Sequence, residues 1–188
     1  MVTAAEYIRN HWEKKRVYSH LEWPKHQTRL GTCALKAGAR GGETFADVGC
    51  AFGHSTAIMR KAQAGIWTAI DFFPGTVEMV NKFFPDMPAK EIATVADLGA
   101  LAGVFDGVVC SEVIEHVEDD AALVAGLLTM TKRNLVITTP CKPVNDPGHL
   151  RVYTDAQLCG LVPPKPGRYV TITTLLDLFW LLLIEEGM

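Results

Sequence analysis

Two runs of this 188-residue chain hold residues whose types and spacing suit chemistry. In Ser111-Glu112-Val113-Ile114-Glu115-His116-Val117, two carboxylates and an imidazole fall at i, i+3 and i+4. A helical turn here puts all three on one face, where they serve proton transfer or hold a divalent cation. A second imidazole, His149, lies in Asn145-Asp146-Pro147-Gly148-His149-Leu150-Arg151-Val152-Tyr153-Thr154, with Arg151 and Tyr153 to orient a substrate. The structural alternatives are plain ones. His116 is then a satisfied histidine beside a sheet, and His149 and Arg151 pin their own loop to backbone carbonyls.

The second run is Phe45-Ala-Asp-Val-Gly-Cys-Ala-Phe-Gly-His-Ser-Thr56, a buried strand, a tight turn and a helix start. Gly49 and Gly53 let the main chain approach a ligand, and Ser55 or Thr56 caps a helix whose free N–H groups face the turn. Such a unit takes a nucleotide-like cofactor. Asp47 narrows the choice, because a carboxylate two residues before the first glycine repels a pyrophosphate but suits the ammonium and sulfonium of S-adenosylmethionine. Asp71 follows Gly53 by eighteen residues, at the end of the next strand-like run. A carboxylate there accepts both hydroxyls of a ribose, and it also serves as a cap for the helix that follows.

These residues resemble the class I S-adenosylmethionine-dependent methyltransferases, whose first motif reads acidic-x-Gly-x-Gly-x-Gly; here the middle glycine is Ala51. The resemblance covers about residues 44 to 184. It implies that Asp47, Gly49, Cys50, Ala51, Gly53, Asp71, Phe72, Ala96, Asp97, Leu98, Ser111 and Glu112 line the cofactor, with Asp97 facing the adenine amino group. Glu-Val-Ile-Glu-His-Val resembles a motif of the small-molecule and lipid-quinone methyltransferases, in which the histidine lies near the transferred methyl group. Residues 145–154 resemble a loop of sugar- and lipid-linked methyltransferases. The implied catalytic set is His116, His149, Glu112, Tyr153 and Arg151, with His116 or His149 as the base, and the implied acceptor is a small molecule, sugar or lipid-linked hydroxyl. The same Glu-x-x-Glu-His spacing also resembles the metal-assisted small-RNA 2′-O-methyltransferases, with Glu112, Glu115, His116 and His149 as ligands. A non-catalytic S-adenosylmethionine-binding subunit is a third reading.

The elements that must position these residues follow from periodicity. Strands are expected at Thr44 to Val48, Ile66 to Ile70, Ile92 to Ala96, Phe105 to Cys110, Asn134 to Thr138, Tyr169 to Leu175 and Phe179 to Ile184. Helices are expected from Ala4 to Tyr18, His26 to Ala37, Ser55 to Ala64, Pro74 to Phe84, Ala121 to Met130 and Thr154 to Leu161. Alternation of the two element types means an α/β, Rossmann-like, doubly wound sheet of seven strands with an antiparallel last strand. Residues 1–43 read as a helical cap segment and 44–188 as the cofactor-binding domain. In the first helix, Tyr7, Trp12 and Tyr18 either pack or form a substrate lid.

Lys and Arg number 18 against 21 Asp and Glu, a formal charge of −3. That leaves no global field for polyanions, so nucleic acid is not expected despite the Lys14-Lys15-Arg16 run. Five scattered cysteines without a Cys-x-x-Cys suit a reduced, cytoplasmic protein. No apolar run reaches the ~18 residues of a transmembrane helix. The apolar carboxyl-terminal strand packs in the core or forms a homodimer edge, and the short Pro163 to Gly167 connection leaves a thin substrate roof or one that a partner completes.

Overall fold

The computed structural model describes residues 19–39 and 41–187; the expected first helix, with Tyr7, Trp12, Tyr18 and the Lys14 to Arg16 run, lies outside them. The strands are β1 (Thr44–Val48), β2 (Ile66–Asp71), β3 (Ala89–Glu91), β4 (Phe105–Ser111), β5 (Thr131–Pro140), β6 (Arg168–Leu175) and β7 (Phe179–Glu186). They form one sheet in the order β3-β2-β1-β4-β5-β7-β6. Pairing is parallel from β3 across to β5, and β7 runs antiparallel to both of its neighbours. The helices are α1 (Pro24–Ala37), α2 (His54–Ala62), α3 (Thr76–Phe83), α4 (Asp120–Met130) and α5 (Asp155–Gly160).

The apolar strands are continuous in sequence because both faces of the sheet are covered. Side chains alternate along each strand. Val136, Leu181 and Leu183 join Phe45, Trp67 and the α1 residues Leu30, Cys33 and Ala37 on one face. Leu135, Ile137, Leu182 and Ile184 join Val108 and the α4 residues Leu123, Val124 and Leu127 on the other. Pro24 starts α1, and Asn134 of β5 ends it by donating from Nδ2 to the carbonyls of Lys36 and Ala37 at 2.9 and 3.3 Å. Carbonyls in a helix's last turn have lost their i+4 partners, so the asparagine anchors the helix end to the sheet.

Chain order reverses between β1 and β4: the chain runs outward through β2 and β3, then returns to build β4 and β5 on the other side. The carboxyl ends of β1 and β4 therefore flank the crevice in which open α/β sheets bind ligands. One strand differs from expectation. The third strand is Ala89–Glu91 and not Ile92 to Ala96, because Thr94 and Asp97 form a capping box that turns residues Val95–Leu101 into a 3₁₀ helix. The apolar character of Ile92 and Leu98 serves the core instead.

Candidate functional site

The turn after β1 is built from two buried carboxylates. Asp47 ends its strand's inward face and accepts hydrogen bonds from Ser55 Oγ at 2.7 Å and Thr56 Oγ1 at 2.6 Å. These hydroxyls hold Asp47 and do not cap α2, contrary to expectation; the N-cap is Gly53, at φ 83°, with no side-chain acceptor. The first N–H groups of α2 thus face the turn without a protein cap. Burial raises the Asp47 carboxyl to about 6, and the two hydroxyls oppose the rise.

Asp71, at the end of β2, accepts from Ala51 N on Oδ2 at 2.6 Å and from Phe73 N on Oδ1 at 2.9 Å. Burial raises its carboxyl, against the pull of the Ala51, Phe73 and Phe72 N–H groups. Helix α3 is entered through Gly75 without a side-chain cap, so Asp71 shapes the turn instead of capping the helix. Ala51 sits at φ 50°, a left-handed conformation that favours glycine. The hydrogen bond from its N–H to Asp71 holds it there.

At the end of β4 the chain does not continue as a helix from Glu112. Glu112 lies at φ 60°, and only Ile114–His116 form a short 3₁₀ turn. The expected shared face of Glu112, Glu115 and His116 is accordingly broken. Glu112 turns to Arg29, with Oε1 3.0 Å from Nη1, close enough for an ion pair but not aligned as a hydrogen bond. Glu115 turns inward and is fully buried, accepting from Thr139 Oγ1 at 3.1 Å while Oε1 meets no hydrogen-bond partner among the described residues.

The loop after β5 closes over this turn. Leu150 N donates to the Glu115 carbonyl at 2.8 Å, and His116 Nδ1 lies 2.9 Å from the Gly148 carbonyl. The His116 and His149 rings meet edge to face, their centroids 4.6 Å apart. Glu115, His116 and His149 each offer a ligand atom, all within 4.8 Å of one another. Arg151 and Tyr153 are committed to protein partners. Both are engaged with Asp120 Oδ2, and Arg151 also donates to the Glu118 carbonyl at 2.9 Å.

Burial raises the Glu115 carboxyl from 4.5 to about 7, which the Thr139 hydroxyl and Arg29 oppose. A folded value above the unfolded one means stability that is complete below about pH 4.5 and is lost as pH rises through 7. Glu115→Gln cannot ionise. Its stability relative to the parent is expected to grow between pH 4.5 and 7 and to level off, at on the order of 3 kcal/mol, above that. Urea unfolding at a series of pH values checks this; a difference that does not change with pH rejects it.

Arg29 is the residue that the sequence reading missed. It is 4% exposed on α1, its guanidinium carbon is 4.9 Å from the centre of the Phe179 ring, and its Nε meets no acceptor among the described residues. Burial lowers it to about 10, so it stays charged at neutral pH. Its spacing held the signal, since Arg29, Cys33 and Ala37 fall at i, i+4 and i+8 on the buried face of α1. Of the residues expected near adenine, Asp97 is exposed and its Oδ2 is taken by Ala93 N and Thr94 N, whereas Leu98 is buried in the core.

A family model described as a methyltransferase domain matches residues 46–137, from β1 into β5. Residues 46–137 are thus similar to the class I S-adenosylmethionine-dependent methyltransferase domains. Over 100 residues the chain is 34% identical to a ubiquinone biosynthesis O-methyltransferase of Xanthomonas axonopodis pv. citri (strain 306). That match takes in 51% of this chain and 40% of the relative, so the chain spans about two fifths of the relative's length. The methyltransferase fold is similar to that of magnesium protoporphyrin IX methyltransferase from Synechocystis PCC 6803, solved with bound S-adenosylmethionine. The TM-score is 0.68 at 16% identity, covering 95% of this chain and 91% of that one. The N-methyltransferase NodS of Bradyrhizobium japonicum WM9, solved with S-adenosylhomocysteine, gives 0.68 at 16% identity over 98% of each chain. Among the described residues, no helix of the methyltransferase is long and apolar enough to cross a membrane.

Proposed function

We propose that the chain binds S-adenosylmethionine in the β1/β4 crevice and transfers its methyl group to the hydroxyl of a small-molecule, sugar or lipid-linked acceptor. The observation that carries this reading is the Asp71 carboxylate, which clamps the left-handed Ala51 amide at a strand end beside the uncapped start of α2. Ribose hydroxyls suit the lone pairs that Asp71 retains. The donor set fits the rest of the cofactor: Arg29 for its carboxylate, and Asp47 with Glu112 for its positive charges. S-adenosylmethionine supplies an electrophilic methyl group on a sulfonium.

The protein's part is to align the acceptor, exclude water and take a proton. His116 or His149 takes it. Because a carbonyl oxygen only accepts, the Gly148 contact puts the proton of neutral His116 on Nδ1 and leaves Nε2 basic. Arg151 and Tyr153 act by holding the loop that carries His149. The curated O-methyltransferase relative is compatible with an oxygen acceptor, and five free cysteines suit a reducing cytoplasm.

The decisive experiment is calorimetric titration with S-adenosylhomocysteine, followed by labelled-methyl transfer to a panel of hydroxylated acceptors. Binding indifferent to chelator is expected. His116→Ala or His149→Ala is expected to lower turnover by roughly 10²–10⁴-fold at unchanged S-adenosylhomocysteine affinity. If both variants turn over like the parent, the base assignment fails.

A second reading has its own observation. Glu115, His116 and His149 converge closely enough to ligate a divalent cation, and Glu115 Oε1 and His149 Nδ1 meet no hydrogen-bond partner among the described residues. This is three of the four ligands of the metal-assisted RNA 2′-O-methyltransferase alternative, Glu112 being paired with Arg29. Loss of transfer on chelation, with recovery in manganese, would favour it over the metal-free enzyme.

A further inference from the structure

The segment after β4 and the loop after β5 are joined edge to edge, and Asp120 is where the joining is tightest. Its Oδ2 accepts from Arg151 Nη1 and, at 2.8 Å, from the Tyr153 hydroxyl. Tyr153 Oη also lies 3.2 Å from the Ile114 carbonyl, and Arg151 Nη2 reaches the Glu118 carbonyl. Trp180 of β7 fixes the same strap by donating Nε1 to the Tyr153 carbonyl at 2.9 Å. An acidic residue in the first turn of α4 has an ordinary explanation, stabilising a helix start. Capping here is already done by Asp119, whose Oδ1 accepts from Ala122 N at 2.9 Å. The Asp120 carboxylate is thereby left to the strap.

We propose that Asp120 is a positioning residue for His116. By clamping Arg151 and Tyr153 against residues 114–120, it holds the Gly148 carbonyl at His116 Nδ1 and so fixes the ring tautomer that leaves Nε2 basic. Its catalytic meaning rests on His116 being the base; the clamp itself does not. The chain of contacts is continuous: Asp120 to Arg151 and Tyr153, Leu150 N to the Glu115 carbonyl, and the Gly148 carbonyl to His116. A charge-assisted pair is the firm end of that chain, because Asp120 and Arg151 side chains are only 18% and 31% exposed.

The test is imidazole ¹H–¹⁵N correlation NMR above the histidine titration range, with S-adenosylhomocysteine titration as the fold control. The parent is expected to show His116 as the Nδ1–H tautomer alone. Asp120→Asn, with S-adenosylhomocysteine affinity within about twofold of the parent, is expected to show a mixture of both tautomers. Tyr153→Phe, which removes one of the two donors, is expected to shift the mixture less. A merely structural Asp120 would lower the melting temperature and leave the tautomer alone, and a pure Nδ1–H signal in folded Asp120→Asn overturns the clamp. Should Asp120→Asn not fold, Tyr153→Phe and Arg151→Lys carry the same readout, and an unchanged tautomer in both overturns it. No acceptor enters this measurement, so its failure is separate from failure of the base assignment, which the His116→Ala turnover decides.

Discussion

Asp71→Ala is expected to weaken S-adenosylhomocysteine binding by about a thousandfold, beyond calorimetric detection. The carboxylate does two things at once. It holds Ala51 and Phe73 amides at 2.6 and 2.9 Å, shaping the turn, and on the proposed reading it presents its remaining lone pairs to a ribose diol at the strand end. Hydrogen bonds to a charged group contribute about 1.5–3 kcal/mol each. Losing the ribose contacts and releasing the strained Ala51 amide together reach about 4 kcal/mol, and each 1.4 kcal/mol is tenfold in affinity. Asp71→Asn is milder but touches both roles, since its one amide oxygen can accept from Ala51 N or Phe73 N and not both, while one acceptor for the ribose is lost. A tenfold to hundredfold loss, by the same scale, is expected there. An Asp71→Ala protein that binds within threefold of the parent would remove the crevice assignment altogether.

Gly49→Ala is expected to be the most damaging small substitution in the motif, lowering both stability and cofactor affinity. Gly49 is at φ 85°, and an alanine Cβ there collides with Val113 Cγ2. The backbone conformation alone costs a non-glycine residue about 1–2 kcal/mol, and overpacking adds about 1–3 kcal/mol. At about 2–4 °C per kcal/mol for a chain of this size, the melting temperature should fall by roughly 10 °C. Val113→Ala in the Gly49→Ala background removes the collision but not the backbone cost. Partial recovery is therefore the expected signature, and a Gly49→Ala melting temperature within 2 °C of the parent rejects the argument. Val113 follows β4 and Gly49 follows β1, so the clash measures how closely the two walls of the crevice meet.

The strands were largely legible in the sequence because a sheet covered on both faces needs continuous apolar runs, and Val108-Val109-Cys110, Leu135-Val136-Ile137 and Leu181-Leu182-Leu183-Ile184 can be little else. Thr154 read correctly as the cap of α5, a local interaction with Gln157 three residues on. Ser55 and Thr56 have the same local credentials but are held by Asp47, eight and nine residues back. Ile92 to Ala96 failed as a strand for a related reason, since the Thr94–Asp97 capping box outweighed a weak β pattern at the sheet's edge. Local chemistry is read well when it is satisfied locally and misread when a distant partner competes.

The candidate site divides along the same line. That Asp47, Gly49, Gly53 and Asp71 gather at one edge was legible because a parallel sheet delivers strand ends to one edge, and residue order along the chain then fixes which ends are neighbours. The direction each side chain takes past the strand end is not set by that rule. Glu112 turns to Arg29 eighty-three positions away in sequence, Glu115 turns into the core, and His116 turns to Gly148. A single left-handed residue, Glu112, separates these three fates. The sequence by itself thus determined the fold, the family motif and the edge of the sheet where chemistry belongs. Only the tertiary structure decided that Arg29 joins the site, that Arg151 and Tyr153 serve Asp120, and that the two histidines meet, because those outcomes depend on contacts between segments that no local spacing relates.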